Sequence, residues 1–242
     1  MSQIHSETIE YKDGETVLEG YISYDESFSG TRPAILVVHE WTGLNDYSKM
    51  RAGMLAKLGY FAFAVDIYGK GIRPDNPQDA GKQASIYKSD RKLMRSRITA
   101  ALEELKKQKL ADVNNIGAIG YCFGGTVVLE LARSGADIKG VVSFHGGLDS
   151  PDPSGTKNVK ARILLCHGAA DPFVPVEQVK AFEEEMNNAG ANYKIISYEG
   201  AVHSFTNPKS GSDVSKGAAY DEKADKKSWE DMKEFFKEIF GK

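Results

Sequence analysis

The sequence predicts an α/β fold: three layers, a mostly parallel sheet with helices on both faces, and a β-hairpin near the start of the chain. Three observations predict it. The runs Ala34-Ile35-Leu36-Val37-Val38 and Tyr60-Phe61-Ala62-Phe63-Ala64-Val65 are apolar throughout and strand-sized, as expected of strands covered on both faces of a parallel sheet. Segments with helical spacing separate the strand-like runs from residue 34 onward, and parallel neighbours need such crossovers. Two alternating stretches, 7–10 and 16–24, flank Lys12-Asp13-Gly14 and read as the opening hairpin.

The elements follow in order. Residues 34–38 form the first buried strand. Residues 45–58 carry apolar positions at helical spacing and stop at Gly59, a C′ glycine. Residues 60–65 form the second buried strand. Two helices are expected over 75–89 and 90–108, the latter with Lys and Glu along one face. A strand over 115–120 leads into a helix over 123–133, which opens with Thr126-Val127-Val128 inside its first turns. These β-branched residues are poor helix formers, so packing has to hold that helix. Strands are expected at 139–144, 162–166 and 193–198. A helix over 175–189 has proline in its first turn, and an amphipathic helix over 228–240 closes the chain. Residues 207–224 are the most polar segment and read as a surface loop near a site.

Composition bounds the function. At roughly 150 residues per domain, 242 residues allow one large domain or two small ones. With no internal repeat and no linker rich in Pro, Gly or Ser, a single domain over 1–242 is expected. There are 31 Lys and Arg against 34 Asp and Glu, a net charge of −3. That gives no basic field for nucleic acid. No apolar run approaches the ~20 residues that cross a bilayer, so no membrane partner is expected. The first residues show no basic region followed by an apolar one, so no signal peptide is expected. Two cysteines, Cys122 and Cys166, make no disulfide framework and fit a reducing, cytoplasmic setting.

Gly120-Tyr121-Cys122-Phe123-Gly124-Gly125 lies between a strand and a helix. It is a nucleophile elbow, G-x-S-x-G, with sulfur in place of oxygen. A turn tight enough to project one side chain strains that residue, and glycines two positions either side remove Cβ atoms that would collide. The helix starts directly beneath the sulfur, where its N–H groups and dipole favour a thiolate and then an oxyanion. The N–H of Phe123 is the first oxyanion donor.

A thiol nucleophile needs a base, and the base needs an orienting acceptor. In such folds the chain order is nucleophile, acid, histidine. Asp171 follows the strand at 162–166, and His203 follows the next strand. Both loops leave the sheet edge where open α/β sheets bind ligands. His203 is therefore the expected base and Asp171 its orienter, although Asp before Pro172 is also a common turn residue. His39 and His145 sit at strand ends and could line the pocket. His167 is too close to the Asp171 strand to be its partner easily. His145-Gly146-Gly147 is rejected as an oxyanion motif, because that motif precedes the nucleophile. The segment in that place is His39-Glu40-Trp41-Thr42-Gly43, and the N–H of Trp41 is the candidate second donor. Glu40, at the top of its strand, is expected to compete with His203 for the thiol proton and keep the sulfur protonated and less oxidisable until substrate arrives. Cys166 ends an apolar strand and reads as a core residue.

At these residues the sequence resembles the dienelactone hydrolase family of α/β-hydrolases. The resemblance rests on Glu40-Trp41-Thr42-Gly43-Leu44-Asn45, the elbow at 120–125, Gly168-Ala169-Ala170-Asp171-Pro172-Phe173-Val174-Pro175 and Gly200-Ala201-Val202-His203-Ser204-Phe205. It implies an α/β-hydrolase fold and a Cys122–His203–Asp171 triad, with Glu40 controlling the thiol. It also implies hydrolysis of a lactone or small carboxylic ester, a carboxymethylenebutenolidase-type reaction, through a thioester acyl-enzyme with no metal or organic cofactor. Two family arginines that hold a substrate carboxylate fall here at Gln83 and Asn207, while Tyr87 matches. Without guanidinium groups, anionic lactones should be held less well; Arg73 or Arg91 are the candidate substitutes. Gln83, Tyr87 and Asn207 are thus the expected substrate-binding residues. An apolar lining of Trp41, Phe173 and Phe205 would instead favour neutral esters. The expected partner is a small-molecule ester or lactone, and the expected assembly a monomer or small homo-oligomer. The competing readings are a non-catalytic ligand-binding or thiol redox-sensing relative and, further off, an amidotransferase-like cysteine fold.

Overall fold

A computed structural model describes residues 3–156 and 158–241. The strands are β1 (Ile4–Asp13), β2 (Thr16–Asp25), β3 (Arg32–Val38), β4 (Phe61–Val65), β5 (Ala111–Tyr121), β6 (Gly140–Phe144), β7 (Arg162–Gly168) and β8 (Tyr193–Tyr198). The helices are α1 (Asp46–Lys57), α2 (Pro77–Ser89), α3 (Arg91–Lys106), α4 (Phe123–Arg133), α5 (Val176–Asn188) and α6 (Glu222–Phe240). The strand order is β1-β2-β4-β3-β5 among the strands that begin in the first part of the chain and β6-β7-β8 among those that follow. The chain divides into two compact units, Met1–Ile119 and Gly120–Lys242.

In the first unit the opening hairpin is antiparallel, with Asp13 opposite Thr16. Its turn needs Gly14, whose φ of 58° an L side chain rarely adopts. β2 pairs antiparallel with β4, and β4 parallel with β3. β3 and β4 are buried along their whole length, as their unbroken apolar sequences require. Asn45 caps α1, accepting from the Tyr47 N–H. Gly59 follows that helix at φ 86°, the expected left-handed exit. Asp66, fully buried after β4, accepts from the N–H groups of Glu19, Tyr68 and Gly69. It thereby ties the hairpin to the chain beyond β4.

In the second unit β6, β7 and β8 are parallel neighbours. α4 is buried at every position, so packing rather than propensity holds its β-branched first turns. Several boundaries differ from the sequence reading. The last helix starts at Glu222, six residues earlier than expected, because Asp221 caps it through the Ala224 N–H. β5 starts at Ala111 rather than 115, because the chain is already extended through 112–115, which are half-buried or exposed and carry no buried apolar run. Pro175 is the N-cap of α5 in extended conformation, not a first-turn residue. Among the described residues no helix is long and apolar enough to cross a membrane.

Candidate active site

The second unit brings Cys122, His203 and Asp171 together. Cys122 sits between β5 and α4 with φ 54° and ψ −115°, a conformation that costs of order 1–3 kcal/mol and needs its surroundings to hold it. The glycines around it make room. A Cβ on Gly120 would lie 2.0 Å from the Gly124 carbonyl oxygen, and one on Gly125 would lie 2.7 Å from the Gly146 Cα. Cys122 is half-buried. The helix carbonyl ladder begins at Cys122 itself, which accepts from the N–H groups of Gly125 and Thr126. Phe123 is the first residue of α4.

His203 Nε2 lies 3.1 Å from Cys122 Sγ, and its Nδ1 lies 2.8 Å from Asp171 Oδ2. The Asp171 side chain is fully buried and uses Oδ1 to accept from the Phe173 N–H at 2.8 Å. That bond fixes the carboxylate plane and makes the Pro172 turn part of the site. The loops after β7 and β8 are laced directly together. Ala169 N–H donates to Tyr198 O, and Ala170 N–H to Ala201 O. Gly168 permits this approach, since a Cβ there would meet Ala201 O at 2.7 Å. Burial of the His203 ring works against its protonation. The negative charge on Cys122, the bonds to Asp171 and Cys122, and the Asp171 charge outweigh burial and raise its pKa to about 10.

A strap from the polar segment holds the His203 backbone. His203 N–H donates to Gly217 O, and Ala219 N–H donates to His203 O. Gly217 has φ 78°, and a Cβ there would strike Pro172 at 2.7 Å.

The other expected residues have defined places in their own units. In the first, Glu40 is buried and follows His39, whose Nδ1–H donates to Glu40 O at 2.6 Å and whose Nε2 accepts from Ile67 N–H at 3.2 Å. Burial lowers the His39 pKa to about 4, so this ring is a neutral backbone latch. Trp41 is partly exposed, and its carbonyl accepts from Tyr68 OH. Tyr87 is buried and donates its hydroxyl proton to Tyr68 O at 3.0 Å, so that proton is spent on the fold. Gln83 is half-buried one turn earlier on α2. Arg73 is engaged with Asp66, Gly69 O and Ile72 O. In the second unit Asn207 is buried and caps the turn Pro208–Ser210 through the Lys209 N–H. Phe205 is fully buried rather than lining a pocket, whereas Phe173 is 58% exposed and packs edge-on against the His203 ring. His145, expected at a strand end where it could line the pocket, is instead buried against the elbow, its Nδ1 accepting from the Cys122 N–H.

The profile of the dienelactone hydrolase family matches residues 18–240. A metagenomic dienelactone hydrolase-like promiscuous phosphotriesterase, P91, has a solved structure that is 37% identical. It covers 98% of each chain with a TM-score of 0.92. An Aquifex aeolicus protein provisionally named carboxymethylenebutenolidase is 30% identical over 95% of this chain and 96% of its own length. An uncharacterised Caenorhabditis elegans protein, K02A2.1, is 39% identical over 61% of this chain and 94% of its own.

Proposed function

This chain belongs to the dienelactone hydrolase family and is a lactone or ester hydrolase; from that premise we propose that it is a cysteine enzyme working through a thioester. Its substrates are neutral, apolar esters or lactones. The observation that carries the reading is a single imidazole bridging Cys122 Sγ at 3.1 Å and Asp171 Oδ2 at 2.8 Å.

In this mechanism His203 holds the thiol proton and Cys122 Sγ attacks the carbonyl carbon. The oxyanion forms against the first turn of α4, with the Phe123 N–H as donor. His203 Nε2–H then protonates the departing alkoxide, leaving an acyl thioester. His203 next takes a proton from water, the hydroxide attacks the thioester, and the acid leaves as the thiol is restored. Asp171 keeps the imidazole proton on the Nδ1 side throughout.

The neutral substrate class follows from what the second unit offers an anion. Its two arginines are spent elsewhere: Arg133 is buried against Glu130 and Glu185, and Arg162 pairs with Glu238. Asn207 stands where the family resemblance places a guanidinium, and an exposed aromatic ring, Phe173, flanks the base. The test compares p-nitrophenyl butyrate with an anionic lactone, in wild type and Cys122→Ala. Wild type should prefer the neutral ester, and the variant should lose both activities by more than about 10³-fold. Equal turnover by the variant would discard the nucleophile, and preference for the anion would discard the substrate class. Stoichiometric alkylation of Cys122 with no product burst from any ester would favour a thiol sensor instead. The role expected for Glu40 is tested separately. If Glu40→Gln leaves the rate of peroxide inactivation unchanged, that residue does not control the thiol.

A second activity is favoured by the 37% identity to P91, described as a promiscuous phosphotriesterase. The same sulfur would attack phosphorus and expel an aryloxide. Release of p-nitrophenol from a diethyl aryl phosphotriester, absent in Cys122→Ala, is the measurement.

A further inference from the structure

Among the described residues the non-glycine positions with positive φ are Cys122, His145 and Ser204, at 54°, 41° and 56°. Two are the nucleophile and the residue after the base. The third lies at the end of β6, has no role in the mechanism above, and touches both of the others' loops. Backbone strain of this kind persists where surroundings over-determine it and collects at functional sites.

The contacts of His145 define what it holds. Its own N–H donates to Cys166 O at 2.9 Å, anchoring it to β7. The Cys122 N–H is shared between Phe144 O at 3.0 Å and His145 Nδ1 at 3.1 Å. An atom that accepts a peptide N–H carries no proton of its own. The ring is therefore neutral with its proton on Nε2, and that proton is donated to Thr206 Oγ1 at 2.7 Å. Thr206 lies on the base loop, three residues beyond His203. The ring also meets the His203 ring edge to face, with centroids 5.3 Å apart.

We propose that His145 is a positioning residue that staples the nucleophile turn to the base loop, and so sets the separation of Cys122 Sγ and His203 Nε2. One imidazole meets the base ring edge to face while its two nitrogens bind the backbone of the nucleophile and a side chain of the base loop. Without it, the strained Cys122 amide keeps only the strand bond to Phe144. The bond from the ring to Thr206 Oγ1 is lost, and the base loop keeps its bonds to the strap and to the loop after β7 but loses this link to the nucleophile turn. His145 touches no reacting atom, so its removal should affect organisation of the pair rather than substrate capture. The inference about kcat rests on the cysteine-hydrolase reading; the inference about the sulfur does not.

The experiment uses His145→Phe, which keeps the ring and removes both nitrogens, His145→Asn, which restores an acceptor near the Nδ1 position, and Thr206→Val. Three readouts are taken on each: kcat and KM with p-nitrophenyl butyrate, thiolate absorbance at 240 nm against pH, and the rate of Cys122 alkylation by iodoacetamide. His145→Phe should lower kcat by about 10²-fold with KM changed less than about twofold, the pattern of lost organisation rather than lost binding. Its thiolate titration should move upward, and alkylation at pH 7 should slow. His145→Asn should recover part of each, and Thr206→Val should show a smaller change in the same direction. Wild-type thiolate titration and alkylation in folded His145→Phe would overturn the proposal. Should that variant not fold, unchanged values in both His145→Asn and Thr206→Val would do so. Altered alkylation alongside esterase activity that survives Cys122→Ala would sink the proposed function and leave the staple standing.

Discussion

Arg133, Glu130 and Glu185 form a closed cluster of charges, whereas Cys122, His203 and Asp171 form an open one. The closed cluster is buried throughout, with side-chain exposures of 1%, 0% and 3%. The Arg133 guanidinium meets Glu185 through Nε and Nη2 at 2.9 and 2.7 Å, Glu130 through Nη1, and the Leu148 carbonyl. Thr156 donates a further bond to Glu185. Its members stand on α4 and α5, in regular helical backbone. The open cluster is built on turns, with strained φ at Cys122 and beside His203, and Cys122 is only half-buried. Both clusters stabilise charge by pairing it. In the closed one each charge is committed to the fold, so desolvation is offset and nothing is left to react. In the open one Cys122 stays only half-buried, and under the proposed function its sulfur is the member left to meet a substrate carbonyl. Pairing alone therefore does not mark a site; strained backbone plus one accessible member does.

The comparison is broken most strongly at Asp171. Asp171→Asn keeps the shape but removes the charge and the correct tautomer of His203, and should lower kcat on the order of 10³-fold. Urea unfolding should move far less than it does for the closed cluster. Arg133→Met is the converse. It leaves two buried carboxylates without their guanidinium and should cost about 3–5 kcal/mol of stability, read as the urea midpoint, while the surviving folded fraction keeps its turnover number. If Arg133→Met instead lowered kcat at full stability, the division between the clusters would be wrong.

The pH dependence sharpens the contrast. The pKa of His203 rises from its ordinary 6.5 to about 10 in the fold, so the folded state holds its proton more tightly than the unfolded chain does. Its stabilisation is fully present below about pH 6.5 and is lost as pH rises through about 10. Wild type should therefore lose more stability between pH 7 and 10.5 than Cys122→Ala, which lacks the sulfur charge. Parallel curves would remove the sulfur as a cause of the shift. The smallest effect belongs to the second thiol. Burial pushes Cys166 up to about 12, which makes it an inert core sulfur beside Tyr198 OH. Cys166→Ala should cost only about 1 kcal/mol and leave turnover unchanged.

The alternation of strand and helix, the glycine spacing around Cys122, and the order of cysteine, aspartate and histidine were all legible in the chain. Each is local: periodicity declares a buried strand, and a turn that projects one residue demands small neighbours within a few positions. What tertiary structure alone decided is non-local. Burial of Phe205, exposure of Phe173, the cap made by Asn207 and the proton that Tyr87 gives to Tyr68 depend on which face each loop turns inward. The strap at 217–219 pairs with His203 through backbone atoms that carry no side-chain signature. The closed cluster joins residues 52 positions apart, and the sulfur and imidazole are 81 apart. Sequence named the candidate groups because chemistry restricts which side chains can act. Their distances waited for the fold, because register between strands far apart in the chain is set by packing of the whole and by no local pattern.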